Sequence, residues 1–530
     1  MAPRALPYRP SSAAGLPLRV ILPEAPGTLD PQRAFSAADR AVARQLFEPL
    51  LRFGAGPQPE PGAAEGATPN EDATRWHFSL RPGLAWSDGR PLDAADFVRG
   101  WLRVLSRDVP DELFLSFRPI FGAGVYRFGL VDAETVGVRA PNPRTVEVRT
   151  DGPAAHLPHL AALWLASPAA DDPPTAARPM ATDRSMAGNG PYVLVAWERD
   201  RSLTLAPNER YWAGPPQNAL ALLAGPRLAE NALTDFAAGA GPEPLPAGAA
   251  PADLVPVPAP LQGSVLRDER LRPLLVRQPR PATLWLTCNT TRPPLDDARV
   301  RKALAYAIDR QACVAALLDG AGRPAYSLLP EGVLGHDPAA GSVYRLRPDV
   351  ARAIVAALDV DETRWEGVAV TVPATPEGRR AGQFLRTQLQ QHLGVQIGVT
   401  ELDRYSYARA LERRLFHLSF GGWESLYPDP EAWFWLTFGA EKAENRTGWR
   451  SALLDRFWRE ADEVTDAERR LGLYAAAQQV LLDEMPVIFL AQPERLAVVH
   501  PRVQGLLPGA MDEIPGAGTL SRVHLRPDAA

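Results

Sequence analysis

The chain has 530 residues, enough for about three structural domains or for two lobes with an insertion, and a core of that size needs neither disulfides nor metals. Its hydrophobic fraction of 46% and charged fraction of 22% are those of a globular protein, and 55 prolines with 41 glycines point to many fixed turns. A net charge of −5 argues against nucleic acid or an anionic membrane surface as the partner, no apolar run is long enough to span a membrane, and two cysteines exclude both a disulfide scaffold and a cysteine-based zinc site.

Residues 1–15 read as a flexible leader with no apolar core of a signal segment and no cysteine for a lipid anchor. Residues 16–22 (LPLRVIL) predict a first strand. The prolines at 23 and 26 close it, because proline has no N–H for the ladder. Val42, Leu46, Leu50 and Leu51 share one side of a helix predicted over 39–51. A Pro/Gly/Ala loop is expected over 58–70. Residues 76–80 and 145–149 alternate as half-buried strands. Asp93 is placed to cap a helix over 93–105. Residues 192–197 and 202–205 predict a hairpin, and 238–261 a surface connection.

The second half reads most clearly. A strand over 368–372, a helix over 377–393 and a strand over 395–400 form a βαβ unit, whose strands must be parallel with a right-handed crossover. A helix over 403–414 then leads to a third strand at 416–420. In an open α/β sheet, ligands sit beyond the carboxyl ends of the strands. That nominates 421–430 as crevice-lining, with Trp423 and Tyr427 turned to the ligand. Trp433, Phe434 and Trp435 read as a core-packed helix face.

No catalytic motif is found: no Gly-x-Ser-x-Gly, no His-Glu-x-x-His and no phosphate loop. Gly122-Ala-Gly124 reads as a turn. His156 and His159 suit one helix face, but Pro158 between them and the lack of a neighbouring carboxylate argue against a metal. Cys288 and Cys313 read as packed, unpaired thiols. No catalytic residue, cofactor or metal is expected.

Several segments together resemble the oligopeptide/dipeptide-binding family of ABC-importer solute-binding proteins, a periplasmic-binding-protein-like group. They are TLDP at 28–31, LFEPLL at 46–51, AWSDGRPLDAADFV at 85–98, GNGPYV at 188–193 and NERYW at 208–212. The longest is NTTRPPLDDARVRKALAYAIDR at 289–310, followed by PAYS at 324–327 and WESLYPDP at 423–430.

The resemblance implies an α/β protein of two mixed-sheet lobes joined by a hinge, with a small domain inserted in the first. The first lobe would comprise 16–46, the insertion 47–182, then 183–281 and 491–530; the second would span 282–490. It implies a monomer outside the cytoplasm, periplasmic or membrane-anchored. Such a protein encloses a peptide or peptide-like ligand and delivers it to an ABC permease without catalysis. The same fold binding a sugar, opine or metal chelate is the alternative, as is a cytoplasmic protein reusing the fold as an enzyme or biosynthetic accessory.

Relatives carry Trp-x-x-Asp-Tyr-Pro-Asp-Pro where this chain has WESLYPDP, and the first aspartate of that run pairs with the ligand's α-ammonium. Here the position is Leu426, which cannot balance a buried ammonium. The expected ligand contacts are Glu24, Trp423, Glu424, Leu426, Tyr427 and Asp429. A free amine would have to borrow Glu24, Glu424 or Asp429, and Asp429 is also placed to cap the helix after it. Where some relatives carry a disulfide, this chain has Ala282 and Glu424, so that bridge is not expected.

Overall fold

The computed structural model describes residues 17–169, 186–225, 227–237, 252–358, 362–440 and 444–526. The leader at 1–15 and the part of the predicted connection at 238–251 lie outside them.

Strand β1 (Leu18–Ile21) stops before Pro23, as its sequence requires. The following helix is Ala37–Leu46. It starts at a capping box in which Ser36 Oγ accepts from Asp39 N and Asp39 Oδ2 accepts from Ser36 N, at 3.0 and 3.2 Å. It ends five residues before the predicted Leu51, where the Phe47 backbone turns extended. Leu50 and Leu51 are buried, but by a short ribbon: Leu51–Phe53 (β2) pairs with Pro59–Pro61 (β3). Their helical spacing with Val42 and Leu46 came from burial in a different element.

The predicted loop at 58–70 also holds a strand, Ala64–Pro69 (β4), which pairs with Arg75–Leu80 (β5). Val138–Asn142 (β6) and Thr145–Arg149 (β7) complete an antiparallel sheet in the order β4-β5-β7-β6. The helix Ala94–Leu105, capped by Asp93, lays Phe97, Trp101 and Val104 on this sheet, all fully buried. Trp101 meets Phe117 edge-on at 5.6 Å.

The strands that follow in the main sheet are Tyr192–Glu198 (β8), Ser202–Pro207 (β9), Leu220–Leu223 (β10), Leu254–Pro256 (β11), Leu275–Pro279 (β12), Ala282–Cys288 (β13), Gly322–Pro324 (β14), Ala369–Pro373 (β15), Gly398–Leu402 (β16), Leu418–Glu424 (β17) and Val487–Val499 (β18). β8 and β9 form the predicted hairpin. β11 lies within the stretch read as a surface connection.

One hydrogen-bonded path joins most of them: β16-β15-β17-β13-β18-β11-β1-β10-β9-β8. β15 and β16 are parallel across the helix Pro376–Leu393, as expected of the βαβ unit. β17 runs to Glu424 rather than Phe420, because antiparallel β13 continues the ladder past the point where β15 stops at Ser419. β18 belongs to both halves. Its residues 487–491 pair with β13, and its residues 494–498 pair with β12. Residues 280–281 join β12 to β13, and β18 changes partner at 492–493.

Cys288 and Cys313 are both buried and unpaired, and burial pushes each thiol up to about 12. Thiol titration without reductant is expected to find two thiols in denaturant and none reacting promptly in native buffer. Finding none in denaturant would mean that they are bridged.

Candidate functional site

The carboxyl end of β17 forms the centre of the site. Trp423 lies opposite Thr283 and Glu424 opposite Ala282. Gly422 lets the two strands meet: a Cβ there would lie 2.5 Å from the Thr283 carbonyl oxygen. Trp423 is half-buried, and its indole N–H has no partner among the described residues. Its ring borders a side pocket of about 150 Å³ with Trp285, Tyr407 and Phe438.

Glu424 is exposed, and its carboxylate meets Arg280 and, at 3.0 Å, Arg495. Burial opposes that charge, but the two arginines outweigh it and hold the group below the usual glutamate value. Leu426 is half-buried against the core. Glu24 is exposed on the loop after β1 and has no ion-pair partner among the described residues.

The remaining two expected contacts turn inward. Tyr427 is 2% exposed; its hydroxyl donates to Glu431 Oε2 at 2.6 Å. Asp429 is fully buried and receives both ends of the Arg470 guanidinium at 2.6 and 2.7 Å. It also accepts the Glu431 N–H at 2.9 Å, at the start of the helix Glu431–Phe438. Burial would raise the Asp429 carboxyl, but Arg470 holds it far below the ordinary range. Trp433 and Phe434 are core residues, as expected.

His156 and His159 require a correction. Carboxylates absent from their stretch of sequence reach them through the fold. His156 Nδ1 lies 3.2 Å from Asp462 Oδ1, and His159 Nδ1 lies 3.4 Å from Asp429 Oδ2.

Beside β17 lies a cavity of about 630 Å³. Gln262, Arg267, Arg280, Asp319, Glu377 and Arg380 are among the residues that line it. Arg280 also holds Glu424, so the cavity adjoins the strand end. Sequence reasoning missed these arginines. They fall in no motif, and only the fold brings these residues, far apart in sequence, to one cavity.

Many motif residues instead hold backbone. Asn189 accepts the Glu48 N–H at 3.0 Å and donates to the Glu48 carbonyl at 2.7 Å. Arg301 donates to the carbonyls of Leu295 and Met485 at 2.7 and 3.0 Å, and Arg310 to those of Phe489 and Tyr344 at 3.1 and 2.9 Å.

Two α/β lobes joined by a pair of crossing strands, with a charged cleft at the crossing, have the architecture of a solute-binding protein. The sequence pattern of the bacterial extracellular solute-binding proteins, family 5 (middle region), matches residues 58–224 and 243–445. The chain belongs to that family, whose members are binding proteins. It is 24% identical over 489 residues to the oligopeptide-binding protein OppA of Bacillus subtilis, covering 89% of this chain and 86% of that one. It is 27% identical over 491 residues to the probable deoxycholate-binding periplasmic protein YgiS of Escherichia coli, covering 91% and 88%. Among solved structures, the unliganded open form of the murein tripeptide binding protein MppA superposes with a TM-score of 0.84 at 20% identity, over 96% of this chain and 97% of that one.

Proposed function

We propose that this protein captures a peptide or peptide-like ligand between its lobes, outside the cytoplasm, and delivers it as a monomer to an ABC permease without chemical change. The carrying observation is an open strand edge. Gly421–Glu424 of β17 pairs with β13 on one side, while β15 pairs no further than Ser419 on the other. An extended ligand can add to that edge as a strand: main-chain hydrogen bonds give affinity, and pockets sort side chains. The pocket beside Trp423 and the arginine-bearing cavity would take a side chain and a carboxylate. Trp423, Glu424, Leu426 and Glu24 are the contacts this reading assigns. Tyr427 and Asp429 would support the wall from behind.

The reading takes 16–46, 183–281 and 491–530 as the first lobe, 47–182 as its insertion and 282–490 as the second lobe, with closure about the crossing strands. Calorimetry with short peptides is expected to show binding that is lost when a central amide is N-methylated. Scattering should show the bound protein to be more compact. Deoxycholate binding in place of every peptide, or binding indifferent to N-methylation, would overturn the peptide reading.

A further inference from the structure

Behind the cleft wall, a buried charged cluster joins the inserted subdomain to the second lobe. From the subdomain come Arg118, His156 and His159. From the second lobe come Tyr427, Asp429, Glu431, Asp462, Arg470 and Tyr474. Three side chains of the subdomain reach across the junction. Arg118 reaches Glu431 Oε1 at 2.9 Å and lies over the Trp435 ring. His156 stacks on Tyr427 with ring planes 10° apart, and places Nδ1 against Asp462 and Nε2 3.9 Å from Glu431 Oε2. His159 faces Asp429. The Ala155 N–H also donates to the Asp462 carbonyl at 3.1 Å.

The charges identify the group that decides whether the junction is balanced. Three carboxylates, Asp429, Glu431 and Asp462, face two permanent cations, Arg118 and Arg470. Burial drives the His159 imidazole down to about 4, so it is neutral near pH 7. Tyr427 and Tyr474 keep their protons, because burial pushes both well up. The remaining positive charge can come only from His156. Burial opposes that charge, but Glu431 and Asp462 outweigh it and push the imidazole up. Burial also raises the Asp462 carboxyl, against the pull of the His156 charge. A cation site at His156, Glu431 and Asp462 fits less well. Arginines already face Glu431 and Asp429, and His156 offers a different ring nitrogen to each of its carboxylates.

We propose that His156 is a proton-dependent latch: charged, it holds the inserted subdomain against the second lobe, and neutral, it lets the lobes part. With the proton gone, Glu431 and Asp462 flank a neutral ring in a buried site, which is costly. The imidazole's value is raised in the latched form. The latch is therefore complete below the free-histidine value of roughly 6.5 and is lost as pH rises through the higher latched value.

Small-angle scattering of the full chain without added ligand, at about pH 6 and about pH 9, tests this independently of which solute the cleft takes. The wild type should be compact at the lower pH and more extended at the higher. His156→Gln should be extended at both, with circular dichroism unchanged. Asp462→Asn removes one of the facing carboxylates, so its transition should move to lower pH by about one unit; it keeps the test decisive if His156→Gln does not fold. The exposed His524→Gln should behave as wild type. A wild type of equal size at both pH values would overturn the latch, as would an unshifted transition in Asp462→Asn or a pH response surviving in folded His156→Gln.

Discussion

Arg470→Met is expected to lower the unfolding free energy by about 3–5 kcal/mol, measured by urea denaturation, because it strands the Asp429 carboxylate in the core. Asp429 is fully buried, and Arg470 supplies both of its charged hydrogen bonds. Asp429→Leu combined with Arg470→Met should recover much of the loss, since a well-packed apolar pair often replaces a buried ion pair at little cost. A single-variant loss under about 1 kcal/mol would mean that Asp429 had found another counter-charge. The pair also shapes acid stability. The Asp429 carboxyl is depressed in the fold, so its contribution is present above the unfolded value of roughly 3.9 and is lost as pH falls through the folded value. Arg470→Met should therefore unfold less steeply in acid than the wild type.

Leu426→Asp is expected to shift preference toward peptides with a free amino end by about 1–3 kcal/mol, the range of a charge-assisted hydrogen bond. Matched free and N-acetylated peptides in a calorimeter read this directly. The unmodified protein should favour the acetylated member. Asp429 cannot serve the amine, being enclosed with Arg470, and Glu424 is already paired with Arg280 and Arg495. Only Glu24 remains without a partner among the described residues. Trp423→Ala should weaken either ligand by removing an apolar wall. Sub-micromolar binding of free-amine peptides by the unmodified protein, lost on acetylation, would show that Leu426 does not set this preference.

The βαβ unit was legible because its helix and strands carry distinct periods over long runs. β4 was not: AEGATP has strand geometry but almost none of the branched or aromatic residues that announce it, and the sheet around it supplies the reason to extend. The same limit applies to the site. Trp423 and Glu424 could be placed near the crevice from the strand order, although the strand itself runs on to Glu424 because distant β13 pairs with it. The inward turn of Tyr427 and Asp429 depends on Arg470, His156 and Arg118, which lie far away in sequence. Family motifs did not reveal it either. Arg301, Arg310 and Asn189 hold backbone carbonyls, so matching them identifies a fold, whereas Leu426, a ligand contact in the proposed reading, departs from the pattern.

β18 has a consequence for how the protein comes into being. β11 and β12 both wait for β18, a strand made far later in the chain. β13 of the second lobe waits for the same strand. Neither sheet half can be completed until β18 has been made, and a fragment ending before Val487 leaves a gap in both. Contacts this distant in sequence fold slowly. The nascent chain therefore carries unmated strand edges through most of its synthesis, which makes it a natural client for holding chaperones and vulnerable to carboxyl-terminal truncation.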